Sequence, residues 1–197
     1  MDEATRQSEF SDNPHLRRYT YSKIWSQAMT ELEAFREEKD EFFRTHPQSP
    51  LTAEQQRAFK GLSYFPENSA LRLEVEVEPF AEREVIDVQT TTGEVRKYQR
   101  FGRFSFEVDG QPAALTIYAT PHGFFLPFVD ALANKETYPA GRYLEPEPLG
   151  GNKFLVDFNV AYNPFCAYNE AYSCPLTPFE NRLKVPIRAG ERIFEEH

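Results

Sequence analysis

Between residues 20 and 44, apolar side chains return at three- and four-residue steps. They are Trp25, Ala28 with Met29, Leu32, Phe35, and Phe42 with Phe43. Glu31, Glu33, Glu37, Glu38 and Lys39 fill the opposite side. That spacing predicts an amphipathic helix over Thr20–Arg44. It ends before His46-Pro47, because a proline disfavours helix at the residue preceding it. The apolar stripe needs a surface to cover, most simply an open face or end of a sheet. A shorter helix is predicted over Thr52–Phe59, with Ser49-Pro50-Leu51-Thr52 supplying the cap, Glu54 and Gln55 the first turn, and Gly61 the stop.

From Leu71 the period changes to two. Leu71, Leu73, Val75 and Val77 alternate with Arg72, Glu74, Glu76 and Glu78, the pattern of a strand wet on one face. Further strands are predicted at Glu84–Gln89, Val95–Arg100, Arg103–Val108, Ala114–Tyr118, Phe124–Phe128, Gly141–Leu144, Phe154–Asn159 and Lys184–Ile187. Thr92-Gly93 and Asp109-Gly110 are hairpin signals, because their turns need positive φ. The stretch Glu145–Gly151 reads as a loop between strands of one core. Eight or nine short strands predict a mostly β, α+β fold: a small antiparallel barrel or sandwich with an N-terminal covering helix. Residues 1–19 read as a polar tail, and 20–197 as one domain.

Composition narrows the function. A chain of 197 residues supports one sizeable core. The 18 Phe and 10 Tyr suit half-buried strands. A net charge of −9 argues against nucleic acid, whose phosphates attract Lys and Arg. No apolar run approaches the ~20 residues that span a bilayer, so no membrane association is expected. The start MDEATRQSEF lacks the basic and apolar parts of a secretory signal, so a cytoplasmic address is the expectation. Two cysteines and four scattered histidines make neither a disulfide framework nor a zinc site, and no metal is expected. The glycine-rich phosphate loops, HExxH and GxSxG are all missing from the sequence.

The character changes again at Asp157. The stretch DFNVAYNPFCAYNEAYSCPLTPFENRLKVPIRAGE has neither period and is dense in Asn, Tyr, Cys and Pro. It is too long for a plain connector. Its aromatic groups need burial, and its buried amides and hydroxyls then need partners. The segment resembles the DUF1684 family through Asp157-Phe158-Asn159, Ala161-Tyr162-Asn163-Pro164, Cys166-Ala167-Tyr168, Ser173-Cys174-Pro175-Leu176 and Glu180-Asn181, closing with Ala189-Gly190-Glu191. Pro127–Asp130, Glu136-Thr137-Tyr138, Gly141–Leu144, Phe35-Arg36-x-x-Lys39-Asp40 and Ser49-Pro50-Leu51 extend the likeness along nearly the whole chain. The resemblance implies no activity, ligand or cofactor, so the residues are weighed on their own chemistry.

Four constellations stand out. Cys166 is a candidate nucleophile if a neighbour lowers its pKa, with His122, on a loop beside Gly123, as the one histidine within the predicted sheet region; the bland alternative is two buried packing cysteines. A second alternative is a Cys166–Cys174 disulfide closing a short loop, the first reading for an exported protein; in a cytosolic one both thiols are expected to be reduced. Arg142 and Asp157, on strands joined by one loop, are expected to face each other across a hairpin, as a structural pair or an anion fork. Asp130, Glu136, Glu145, Asp157, Asn159 and Asn163 form an oxygen-rich set, better read as a solvated rim than a cation site. Tyr138, Tyr143, Tyr162, Phe165, Tyr168 and Tyr172 line either a ligand mouth or a core plug. The leading expectation is a small-molecule site, anions included, formed by Arg142, Tyr143, Asp157, Asn159, Tyr162, Asn163, Cys166, Tyr168, Cys174 and Asn181. The rivals are an enzyme using Cys166 or a carboxylate there, and a structural or partner-binding domain.

Overall fold

The computed structural model describes residues 29–195, which fall into two compact units divided after Gly61. In the first, α1 (Glu31–Thr45) and α2 (Ala53–Ala58) each begin with a reciprocal capping box. The Glu33 amide donates to Thr30 Oγ1 at 3.2 Å, and the Thr30 amide donates to the Glu33 carboxylate at 2.7 Å. This pairing satisfies the orphan amides of the first turn and sets the start of α1. Among the described residues the helix begins at Glu31, with Thr30 extended as its cap; residues 20–28 of the expected helix lie outside the described residues. Trp25 and Ala28 lie outside the described residues. Leu32 and Phe35 are half-buried, and Phe43 is fully buried and stacks on Phe59 at 6.1 Å. Gln56 Nε2 ties the two helices by donating to the Phe43 and His46 carbonyls.

The second unit is mostly β, with nine strands in two antiparallel sheets. One sheet is β1 (Arg72–Glu76), β9 (Lys153–Asp157) and β8 (Glu147–Gly150), in that order. The other runs β2 (Glu78–Pro79), β4 (Val95–Val108), β5 (Gln111–Thr120), β6 (Gly123–Phe128), β7 (Arg142–Leu144), with β3 (Val85–Gln89) also on β4. The sheets are not closed into a barrel. They pack face to face through rings: Phe154 of β9 meets Phe101 of β4 at 5.6 Å and Phe124 of β6 at 4.7 Å. Val75, Leu115, Ile117, Leu126 and Val156 complete this core. The β4–β5 turn is Asp109-Gly110, both at positive φ, as the hairpin signal required.

Three expectations are corrected. Val95–Arg100 and Arg103–Val108 are one strand, interrupted by a bulge at Phe101. The bulge reverses the side-chain parity of β4. Arg96, Tyr98 and Arg100 then share a face with Tyr118, while Phe104, Phe106 and Val108 turn to the core. Glu147–Gly150, read as loop, is an exposed edge strand on β9, where Pro148 loses no needed hydrogen bond. Lys184–Ile187 forms no strand, although Val185 and Ile187 are buried in the core.

Candidate functional site

The Asp157–Asn181 segment starts where β9 ends. Asp157 caps a 3-10 turn, Phe158–Val160, by accepting from the Asn159 amide. Asn159 Nδ2 donates to the Asn68 carbonyl, and the Asn68 amide donates to Asn159 Oδ1. This amide, 2% exposed, thus works as a piece of main chain. Ala161 and Tyr162 then run beside β7, where Tyr143 and Tyr162 exchange both backbone hydrogen bonds. A further 3-10 turn, Phe165–Ala167, carries Cys166. Ser173–Leu176 follows the edge of β3: the Thr91 amide donates to the Cys174 carbonyl and the Leu176 amide to the Gln89 carbonyl.

Asn181, fully buried, closes the segment. The Thr116 amide donates to its Oδ1, and its Nδ2 donates to the carbonyls of Thr116 and Pro127, each at 2.8 Å. It fills the place between β5 and β6 beyond their last paired residues, Tyr118 and Phe125. Pro127 has no amide with which to continue that ladder.

Arg142 is 1% exposed. Its Nη2 donates to Asp130 Oδ2 at 2.7 Å and to the Ile187 carbonyl at 2.8 Å. Its Nη1 donates to the carbonyls of Ala189 and Glu191. Every hydrogen of the two terminal nitrogens is thereby used. Burial pulls the Arg142 pKa down while Asp130 and Glu191 oppose that shift. The expected hairpin partnership with Asp157 is overturned. β7 pairs with β6, β9 belongs to the other sheet, and Asp157 instead meets Arg72 at 3.3 Å.

Glu191, 1% exposed, accepts from the Asn163 amide at 2.8 Å and from the Tyr168 hydroxyl at 2.5 Å. Burial, then the Glu191 charge, pushes the Tyr168 pKa up. Its position depends on Gly190, at φ +74°, where a Cβ would stand 2.5 Å from the Ala161 carbonyl oxygen. The oxygen-rich set is dispersed: Asp130 serves Arg142, Glu136 meets Arg188, Glu145 accepts from Tyr162 and Asp157 meets Arg72. Among the described residues, no group of three or more His, Cys, Asp or Glu is placed to hold a metal ion.

The two thiols stand apart from this frame. The Cys166 amide donates to Cys174 Sγ at 3.2 Å, and the Tyr138 hydroxyl lies 3.7 Å from Cys166 Sγ. The Cys166 pKa is lowered, first by a hydrogen bond from the Cys174 thiol; burial opposes this, and Tyr138 and Thr91 reinforce it. Tyr138 itself is held protonated, by burial and then by Cys166. Tyr143, whose hydroxyl donates to the Pro175 carbonyl, is likewise held protonated by burial and then by the two thiols. Both cysteines are buried, Cys166 at 7% exposure less completely than Cys174 at 1%. His122 is exposed on the β5–β6 turn, and its amide donates to Thr120 Oγ1.

Two further clusters had no signal in the spacing of the sequence. Glu180 accepts from Arg100 at 3.1 and 2.6 Å and from the Tyr118 hydroxyl at 2.6 Å. Burial raises the Glu180 pKa, but Tyr118, Arg100 and Thr116 outweigh it and leave it lowered. Ser173 Oγ joins Thr90, Thr92 and Glu94. Glu180 was visible only within the Glu180-Asn181 motif. Its partners come from β4 and β5, about 60 to 80 positions away.

The family described as "Protein of unknown function (DUF1684)" matches residues 57–192. The solution NMR structure of an uncharacterized protein from Haloarcula marismortui is similar, with a TM-score of 0.64, 34% identity and 100% of each chain covered. No curated protein matches the chain at a comparable level. Among the described residues, no helix is long and apolar enough to cross a membrane.

Proposed function

Because the chain belongs to the DUF1684 family, which brings no activity to carry over, we propose a function from the site alone: the domain takes a small molecule at the thiol face of the Asp157–Asn181 segment, where Cys166 engages it. The observation that carries this reading is the cluster around Cys166, where the Tyr138 hydroxyl lies 3.7 Å from its sulfur and Cys174 Sγ accepts from its amide, with the Cys166 pKa lowered by these neighbours. A thiolate, not a thiol, is the nucleophile, so donors aimed at sulfur raise its reactivity near neutral pH. Arg142 gives its terminal hydrogens to Asp130 and three carbonyls. Its charge is neutralised inside, which favours an uncharged, electrophilic ligand over an anion. The amides of Asn159 and Asn181 act as main-chain substitutes that hold the segment in place.

That satisfied frame also supports a second reading, in which the segment is a structural plug and both thiols are packing groups. Alkylation of the native full chain by iodoacetamide, followed by peptide mapping over a pH series, separates the two. The site reading expects Cys166 to react first, with an apparent pKa below the usual ~8.5. Cys174→Ala and Tyr138→Phe should each move that midpoint upward. Equal modification of both cysteines, at a rate that simply follows unfolding in urea, would establish the plug.

A further inference from the structure

We infer that Cys166 and Cys174 form a peroxide-responsive dithiol switch, in which Cys166 is oxidised, Cys174 resolves it as a disulfide, and the thiol face is thereby shut off. The inference rests on the proposed role of Cys166 and adds to it a second thiol with a task of its own.

Geometry carries the argument. Cys174 Sγ accepts from the Cys166 backbone amide at 3.2 Å, which sets the second sulfur against the main chain of the first cysteine. A sulfur that close to the backbone of the other cysteine brings the pair within the separation a disulfide needs, with rotamer changes and small loop adjustments. The two are eight positions apart on separate pieces of backbone: Cys166 on the Phe165–Ala167 turn, Cys174 on the strip along β3. Both thiols are buried, and the order follows from the lesser coverage of Cys166, 7% against 1%, which leaves it the first a small oxidant meets when the segment opens. The Tyr138 hydroxyl sits beside the first cysteine, 3.4 Å from the Cys166 carbonyl oxygen and 3.7 Å from its sulfur. A packing pair would not need a sulfur seated on the other cysteine's amide.

The chemistry balances with hydrogen peroxide as the oxidant. Cys166 sulfur attacks one peroxide oxygen, the O–O bond breaks, and an S–O bond forms. The proton lost by Cys166 leaves with the departing hydroxide as water. Cys174 sulfur then attacks the Cys166 sulfenic sulfur, the S–O bond breaks, an S–S bond forms, and a second water carries away the Cys174 proton. Two thiols lose two electrons, and one peroxide becomes two waters. The product has no thiolate left at Cys166, so a small electrophile finds nothing to react with. A thiol reductant restores the dithiol.

The test uses the full chain, reduced and freed of reductant. It is treated with hydrogen peroxide, quenched with N-ethylmaleimide under denaturing conditions, and read by intact mass and non-reducing peptide mapping. Both thiols should disappear together, with loss of two hydrogens and a Cys166–Cys174 cross-linked peptide, reversed by dithiothreitol. Cys174→Ser should stop at a sulfenic acid on Cys166 that dimedone traps, and Cys166→Ser should leave Cys174 unmodified at the same dose. One equivalent of phenylarsine oxide, which bridges neighbouring thiols, should protect the wild type from peroxide; this arm needs no variant. Oxidation of Cys166 to sulfinic acid with Cys174 still alkylatable would overturn the switch. So would intermolecular disulfides in place of the internal one. In either case rapid iodoacetamide labelling of native Cys166 would leave the proposed site standing. Slow labelling that follows unfolding would remove both.

Discussion

Removing Arg142 should damage the fold and not merely a ligand contact. The Arg142 guanidinium holds Asp130, itself 1% exposed as a side chain, and the carbonyls of Ile187, Ala189 and Glu191. The guanidinium also lies over the rings of Phe65 and Phe128, 5.9 and 5.2 Å from their centres. Arg142→Met preserves most of that volume while deleting the charge and the donors. Breaking a buried pair from one side costs about 3–5 kcal/mol, because the remaining charge is left uncompensated. Three carbonyls losing their donor add roughly 1 kcal/mol each where water cannot replace it. The total, about 6–8 kcal/mol, rivals the whole stability of an ordinary domain. Asp130→Asn is milder, because the Leu132 amide still finds an acceptor at that side chain. A double-mutant cycle read by urea unfolding and far-UV circular dichroism should return a coupling of at least about 2 kcal/mol between the two positions. If Arg142→Met is too unstable to titrate, the cycle is run in a stabilising osmolyte such as TMAO. An Arg142→Met variant within about 1 kcal/mol of wild type, with coupling below ~0.5 kcal/mol, would refute the strut and return Arg142 to the list of ligand-binding groups.

Other outcomes follow from the same framework. Asn181→Ala strips three buried hydrogen bonds and should cost about 3 kcal/mol or more, measured as a fall in the urea midpoint; retention of the wild-type midpoint would mean that water fills the gap. Gly190→Ala combines a positive φ with a Cβ 2.7 Å from the Phe158 carbonyl oxygen and should lower stability by about 2 kcal/mol or more in the same assay. The lowered pKa of Glu180 makes its contribution to stability full above the unfolded value of about 4.3 and lost as pH falls through the folded one. Acid titration of Arg100→Met or Tyr118→Phe should therefore show a shallower loss of stability below about pH 4 than wild type, and an unchanged slope would count against that cluster.

Local rules made much of the fold legible. The alternation from Leu71 to Val77 specified a strand because adjacent residues on extended backbone must face opposite sides. Asp109-Gly110 specified its hairpin because both residues must adopt positive φ. Proline after His46 marked the end of α1. The start of α1 was also written locally, in Thr30-x-x-Glu33, but the longer apolar stripe masked it. For the candidate site, composition announced that Asp157–Asn181 would be ordered, since buried Asn and Tyr must find partners. It could not say which partners.

Those were decided by the way the sheets assemble. Arg142 and Asp157 flank one loop, yet β7 joins β6 and β9 joins β1, so each finds a different charge. The bulge at Phe101 swings Tyr98 and Arg100 onto the face of the C-terminal segment, a change of parity that no pattern within β4 specifies. Lys184–Ile187 has the alternation of a strand, but its neighbourhood offers Arg142 and single backbone contacts instead of a partner strand. The Cys166–Cys174 contact arises because one cysteine rides a 3-10 turn and the other follows the edge of β3. Periodicity reports the face a residue presents to its own element. Which charge, amide or sulfur it meets depends on chain segments distant in sequence, and only packing of the two sheets brings those together.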